Sequence, residues 1–189
     1  MKALLPILAI SLSLITGCTA TISAINEGPI QENPGSRSFG AWIDDQSIET
    51  VTSVNIEKSN PDFKNNHVVV VSFNGYVLLT GQTATPELKA QAERVAKQTL
   101  KVRKVYNELE IAGPTTRLTR SSDSWITSKI KGRMISTSGF PSSRVKVITE
   151  NGAVYLMGLV TPEEAQQAVN LARESYGVQK IVKVFEYIR

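Results

Sequence analysis

The chain has 189 residues, of which 41% are hydrophobic and 20% charged, and its formal charge is +4. That composition is ordinary for a folded protein and excludes both a disordered chain and a bundle of membrane helices. The length suits one medium domain or two small ones. A single Cys and a single His remove disulfide scaffolds and most catalytic or metal sites, which need several ligands or a base beside a thiol.

Met1 and Lys2 lead into an apolar run from Ala3 to Ile15. The run is too short for the ~20 residues that span a bilayer, and it suits the core of a signal peptide over residues 1–17. It ends in Ile15-Thr16-Gly17-Cys18, which resembles the lipobox of bacterial lipoproteins. That resemblance implies cleavage before Cys18 and acylation of the new terminus, while the competing reading is a buried free thiol. Thr19 follows, not the Asp associated in that class with inner-membrane retention, so the resemblance implies the periplasmic face of the outer membrane. Residues 18–43 turn to Gly, Pro, Asn and Ser and predict a lipidated tether. As a flexible coil it averages roughly 25–30 Å, which keeps the folded part within reach of its own membrane.

The remainder is an internal repeat. Val68-Val-Val-Val-Ser-Phe73, Asn74-Gly75 and Tyr76-Val-Leu-Leu-Thr-Gly81 recur as Arg144-Val-Lys-Val-Ile-Thr149, Asn151-Gly152 and Ala153-Val-Tyr-Leu-Met-Gly158. Asn-Gly between apolar runs predicts a hairpin, because a type I′ turn needs positive φ at both positions. Thr85-Pro86-Glu87 and Thr161-Pro162-Glu163 each predict a helix start with Thr as cap and Pro at the first position. Glu164 completes a capping box in the second copy, where the first has Leu88. Closing strands are expected over residues 105–111 and 181–188. A helix precedes each hairpin, one opening near Asp45 with Ile48 on its inner face, the other covering residues 122–135. The expected fold is α+β, two tandem αββαβ domains, each a three-stranded mixed sheet against two helices. The boundaries are 44–112 and 122–189, with a linker at 113–121.

The paired strand-Asn-Gly-strand-Gly units and Thr-Pro-Glu helix starts resemble two BON domains. With the lipobox, the arrangement is similar to the dual-BON outer-membrane lipoproteins. The likeness is closest in Trp125-Ile-Thr and from Thr149-Glu-Asn-Gly through Met157-Gly-Leu-Val-Thr161.

Chemistry-bearing residues are sparse. His67 stands at a strand start without Cys, Asp or Glu at ligand spacing, so a polar strand-edge role is expected and no metal. Asp44-Asp45 could be paired carboxylates for acid–base work, but a helix cap before Ile48 is the simpler role. Tyr76 and Tyr155 occupy strand positions favoured by packing. No Gly-rich phosphate loop precedes a helix. No cofactor is expected, and the expected protein is not an enzyme.

Charge is uneven. Residues 44–113 hold eight Lys and Arg against nine Asp and Glu, whereas residues 116–148 hold seven (Arg117, Arg120, Lys129, Lys131, Arg133, Arg144, Lys146) against Asp123 alone. At 100° per residue Ile126, Ile130 and Met134 share the core face of the 122–135 helix. Trp125, Lys129 and Gly132 form the adjacent stripe, with Arg133 at its border and Lys131 and Ile135 further round. An indole at such a rim suits headgroup depth, and lysine stems can lie along apolar surface with their ammonium groups on phosphates. Two readings stay open from the residues: Trp125 staples the helix to the protein, or it meets a partner.

The family resemblance implies the second, since this helix is the anionic-phospholipid contact in dual-BON lipoproteins. The phospholipid-binding set is then Trp125, Ile126, Ser128, Lys129, Lys131, Gly132, Arg133 and Ile135, the ligands phosphatidylglycerol or cardiolipin. The resemblance further implies support of outer-membrane integrity at the division site. The alternative is an adaptor for envelope assembly or peptidoglycan-remodelling proteins. Export argues against nucleic acid.

Overall fold

The computed structural model describes residues 35–188, so the expected signal peptide, Cys18 and most of the tether lie outside the described residues. The Ser38 hydroxyl accepts the Ala41 amide and starts α1 (Phe39–Ser59). A 3-10 turn, Pro61–Asn65, leads into β1 (His67–Phe73), and Asn74-Gly75 returns the chain along β2 (Tyr76–Thr83). Thr85 caps α2 (Pro86–Gln98) through the Leu88 amide. β3 (Lys104–Asn107) and β4 (Glu110–Ile111) then both run parallel to β2. The second half repeats the order as α3 (Arg117–Ser136), β5 (Val145–Glu150), β6 (Ala153–Val160), α4 (Pro162–Arg173) and β7 (Lys180–Tyr187). β6 lies between antiparallel β5 and parallel β7. The α+β, αββαβ architecture with mixed sheets is therefore present twice.

Both hairpins have the turn that their dipeptides demand. φ is 51° and 74° at Asn74 and Gly75, and 49° and 74° at Asn151 and Gly152, the left-handed pair of a type I′ turn. Gly81 and Gly158, which close the two repeats, have a different cause. A Cβ at either would strike a backbone carbonyl, that of His67 at the start of β1 or of Arg144 just before β5.

Three expectations change. α1 begins at Phe39, so residues 39–43 of the expected tether are helical. α3 begins at Arg117 behind a Thr116 cap, so much of the expected linker at 113–121 is the first turn of a helix. Both starts carry a hydroxyl cap but no acidic first turn and no Pro, which left them hidden beside the Thr-Pro-Glu starts. The last strand of the first domain is broken at Glu108-Leu109. Leu109 leaves the ladder for the core, and the Asn107 side chain bonds the Lys89 carbonyl and Glu93 on α2.

Each domain has its own core between sheet and helices. Ile48, Ile56, Leu79 and Ala92 represent the first, and Ile126, Ile130, Leu156 and Ala168 the second. A third apolar cluster joins Val71, Phe73 and Leu78 to Tyr155, Met157 and Val184. The two sheets therefore pack back to back, in four layers: helices, sheet, sheet, helices. Burial on both faces explains why β2 and β6 read as continuous apolar runs, not alternating ones.

Polar groups at the rim of this interface are paired reciprocally. The turn residue Asn74 donates to Glu186 at 2.7 Å, and its repeat counterpart Asn151 donates to Glu110 at 3.3 Å. Arg103 adds two hydrogen bonds to Glu186, at 2.8 and 2.6 Å. The buried Glu150 accepts from the Gln82 amide at 3.0 Å and lies 3.6 Å from His67 Nε2. His67 is thus an interface residue. Lys146 reaches Glu49 on α1 at 2.7 Å.

Candidate functional site

The orientation of each opening helix is fixed by one aspartate. Asp123 on α3 accepts the amides of Asn151 and Gly152 at 2.8 and 2.9 Å. Asp45 on α1 accepts the equivalent amides of Asn74 and Gly75 at 2.8 and 2.9 Å, the Ser72 hydroxyl, and an Arg37 guanidinium N–H at 2.7 Å. Burial alone would push the Asp45 carboxyl up, but the Gly75 amide, Ser72, Arg37 and Asn74 together hold it below the usual carboxylate range. The expected capping role of Asp44-Asp45 is corrected: Asp45 clamps a turn from mid-helix, and Asp44 pairs with Lys101 at 2.6 Å. A carboxylate ties two turn amides that have no ladder partner, so α3 cannot roll on its sheet without losing both.

With α3 so held, Ile126, Ile130 and Met134 face the core, and the helical period turns Leu118, Trp125 and Gly132 directly outward. Trp125 is 59% exposed, and Leu118 and Ile135 are more exposed still. A Cβ at Gly132 would meet nothing within 4 Å, so the helix is bare there. The Lys129 ammonium lies 4.9 Å from the Trp125 ring and 5.7 Å from the ring of Tyr176, and donates to the Tyr176 carbonyl at 3.1 Å. Arg133 is paired with Glu174 at 2.9 Å. Ser128 is exposed and spends its hydroxyl proton on the Ser124 carbonyl.

Of the expected binding set, Trp125, Ser128, Lys129, Lys131, Gly132, Arg133 and Ile135 lie on the outer half of α3. Ile126 does not. At 4% exposure it is a core residue, consistent with its position on the stripe of Ile130 and Met134. Sequence reasoning missed Leu118, seven residues before Trp125 and therefore on its stripe, because the helix start was placed too late. It also missed Tyr176, which comes from the α4–β7 turn and carries no periodic signal.

The basic surplus is smaller than counting suggests. Arg144 pairs with Glu164 at 2.8 Å, Lys146 with Glu49, and Arg133 with Glu174, so three cations of the seven meet carboxylates. Lys129 is held by rings and a carbonyl. Arg117, Arg120 and Lys131 are exposed and have no acidic partner among the described residues. Also among the described residues, no three His, Cys, Asp or Glu side chains converge as metal ligands, and no helix is long and apolar enough to cross a membrane. The outer stripe of α3 is open to solvent at Leu118, Trp125 and Ile135.

The BON domain model matches residues 44–113 and again 122–189. The chain is 34% identical over 174 residues to the outer membrane lipoprotein DolP of Haemophilus influenzae, covering 92% of this chain and 90% of that one. It is 36% identical over 153 residues to the 21 kDa hemolysin of Actinobacillus pleuropneumoniae, covering 81% and 79%. With the osmotically-inducible protein Y of Escherichia coli it shares 26% over 181 residues, 89% of each. Two matched domains and end-to-end similarity leave one conclusion: the chain belongs to the BON-domain family, as a member with two copies of the domain.

Proposed function

We propose that this chain is a non-catalytic outer-membrane lipoprotein, tethered through Cys18 with its body in the periplasm, whose α3 face binds anionic phospholipid. Similarity to a DolP lipoprotein over nearly the whole length supports the address, and the lipobox read from Ile15 to Cys18 supports the anchor. The observation that carries the binding reading is the stripe Leu118–Trp125–Gly132, exposed and apolar, flanked by Lys129, Lys131, Arg117 and Arg120. An indole can settle at headgroup depth with its N–H bonded. Each nearby cation contributes about 1 kcal/mol at an anionic surface, within a Debye length. By keeping the body docked, this contact supports outer-membrane integrity, and a division-site role follows if anionic lipid is enriched there.

The test uses the unlipidated body, residues 35–189, and cosedimentation with phosphatidylglycerol, cardiolipin or phosphatidylcholine vesicles. Binding to the first two, weakening with salt and falling about tenfold in folded Trp125→Ala, is the expected result. Equal binding by wild type and Trp125→Ala, or binding to phosphatidylcholine alone, rejects the reading.

A second reading, the adaptor, has its own observation. α1 exposes Phe39, Trp42, Ile43, Val51 and Val54, with the Phe39 and Trp42 rings stacked at 5.9 Å. Lys58 in the last turn is the one cation of this helix, which suits an apolar protein surface, such as an envelope assembly or peptidoglycan-remodelling protein, better than anionic lipid. Loss of a periplasmic binding partner in Trp42→Ala with unchanged vesicle binding is the outcome that favours it.

A further inference from the structure

α3 does not carry the exposed aromatic surface alone. The turn between α4 and β7 brings Tyr176 alongside it, 90% exposed. The turn is held by backbone hydrogen bonds. Ser175 is buried and its amide bonds the Ala172 carbonyl, while the Gln179 amide bonds the Gly152 carbonyl. Gly177 sits at φ 97°, and a Cβ there would come within 2.9 Å of Ile126 Cδ1. The glycine therefore lets the turn rest directly on α3, and the residue before it is delivered to the side of Lys129. The Tyr176 carbonyl and ring both engage that ammonium, at 3.1 Å and 5.7 Å.

We infer that the α4–β7 turn is a second lipid-contacting element, with Tyr176 entering the headgroup layer of an anionic phospholipid surface beside Trp125. Lys129, held between the two rings, meets the phosphodiester. This rests on the reading of α3 as the membrane face. The chemistry of these groups supports it. Tyr and Trp are the side chains whose apolar body and polar tip suit the interface. An ammonium has three donors, and the Tyr176 carbonyl uses one, leaving the others for phosphate oxygens. The rings and the carbonyl order the lysine before any lipid arrives, so less freedom is lost on binding. The acid beside the turn, Glu174, is already paired with Arg133, so the turn approaches an anionic surface with that carboxylate neutralised. A helix alone presents a line and can roll. Leu118, Trp125 and Tyr176 make three points of a plane.

The experiment uses the full acylated protein in vesicles of phosphatidylglycerol and phosphatidylethanolamine with brominated acyl chains, and in phosphatidylcholine controls. Trp42→Phe leaves Trp125 as the sole indole, and Trp42→Phe/Trp125→Phe/Tyr176→Trp moves it to the turn. The expected result is bromine quenching and a blue shift of both probes in the anionic vesicles, reversed by salt and absent from the controls. In the Trp42→Phe background, Tyr176→Ala should lower quenching of Trp125 roughly threefold, as expected for losing one interfacial ring. Quenching at position 125 without quenching at 176 overturns the inference and leaves the α3 reading standing. An unquenched probe at both positions overturns both.

Discussion

α1 and α3 occupy equivalent places over the two sheets, each tied to its hairpin by one aspartate, yet they turn different surfaces to solvent. The inner stripes correspond closely: Asp45, Ile48, Thr52 and Ile56 are buried in α1, and Asp123, Ile126, Ile130 and Met134 in α3. The outer stripes share apolar character and differ in charge. α1 shows Phe39, Trp42 and Ile43 beside Gln46 and Ser47, and carries a single cation, Lys58, in its last turn near Val54. α3 shows Leu118, Trp125 and Ile135 among arginines and lysines. An exposed Trp is therefore common to both helices. Cations distinguish the lipid-facing candidate, and the frame demands only one stripe of each helix, so the other is free to specialise.

The largest expected effect breaks the correspondence on its inner side. Asp45→Ala orphans two turn amides, the Ser72 hydroxyl and the Arg37 guanidinium, and should cost about 3 kcal/mol as the loss of a buried charged partner. Asp123→Ala orphans only the two amides and should cost about 2 kcal/mol. For a unit this size that is roughly 9 °C and 6 °C in Tm, measured by circular dichroism. Equal shifts would mean that Arg37 and Ser72 contribute nothing to the clamp.

Next comes the outer side, where the comparison can be sharpened. Trp125→Ala should weaken binding to phosphatidylglycerol vesicles on the order of tenfold, since burial of a large aromatic contributes about 1.5 kcal/mol or more. Lys129→Glu changes the charge by two units and, at about 1 kcal/mol per charge, should weaken it roughly thirtyfold. Trp42→Ala should leave vesicle binding unchanged although its indole is nearly as exposed, 48% against 59%. Equal losses at Trp42 and Trp125 would remove charge as the discriminating variable.

Most of the frame was legible because it is written in local chemistry. Asn-Gly, Thr-Pro-Glu and their recurrence specify the hairpins and second helices without reference to anything distant. The outer half of α3 was legible for the same reason, since helical period alone sorts Trp125 from Ile130. What stayed hidden depends on contacts between separated segments. Nothing near Asp45 announces that its partners are the Asn74 and Gly75 amides, and nothing near Tyr176 says that its turn lands on Ile126. The continuous apolar runs of β2 and β6 did hold the sheet-to-sheet packing, as strands buried on both sides.

Acid should act on the first domain and on the seam. Burial pushes the Glu186 carboxyl up, but Arg103 and Asn74 outweigh it and hold it below its usual range, as the clamp does for Asp45. A carboxylate depressed in the folded state contributes stability that is complete above its unfolded value. That stability drains away as pH falls through the ordinary range, about 4, toward the depressed one. Urea midpoints should therefore be flat from pH 7 to 5 and fall below that. The fall should be shallower in Arg103→Ala, where Glu186 has lost its strongest partner. An unchanged slope in Arg103→Ala would place the acid sensitivity elsewhere.

The smallest effect tests whether Arg133 belongs to the lipid face or to the fold. Its ion pair with Glu174 has both side chains well exposed, 44% and 65%, so solvent screens it and Arg133→Ala should change stability by no more than about 0.5 kcal/mol. Its effect on vesicle binding should also be small, because Glu174 already offsets the charge. Glu174→Gln is the sharper variant. Removing the acid frees Arg133 and should strengthen binding to phosphatidylglycerol a fewfold at low salt, with the gain disappearing at high salt. The equivalent change on the first domain, Asp44→Asn, frees Lys101 and should give no such gain, because α1 does not face the lipid. A gain from both would mean that net charge, and not the α3 face, draws this protein to the membrane.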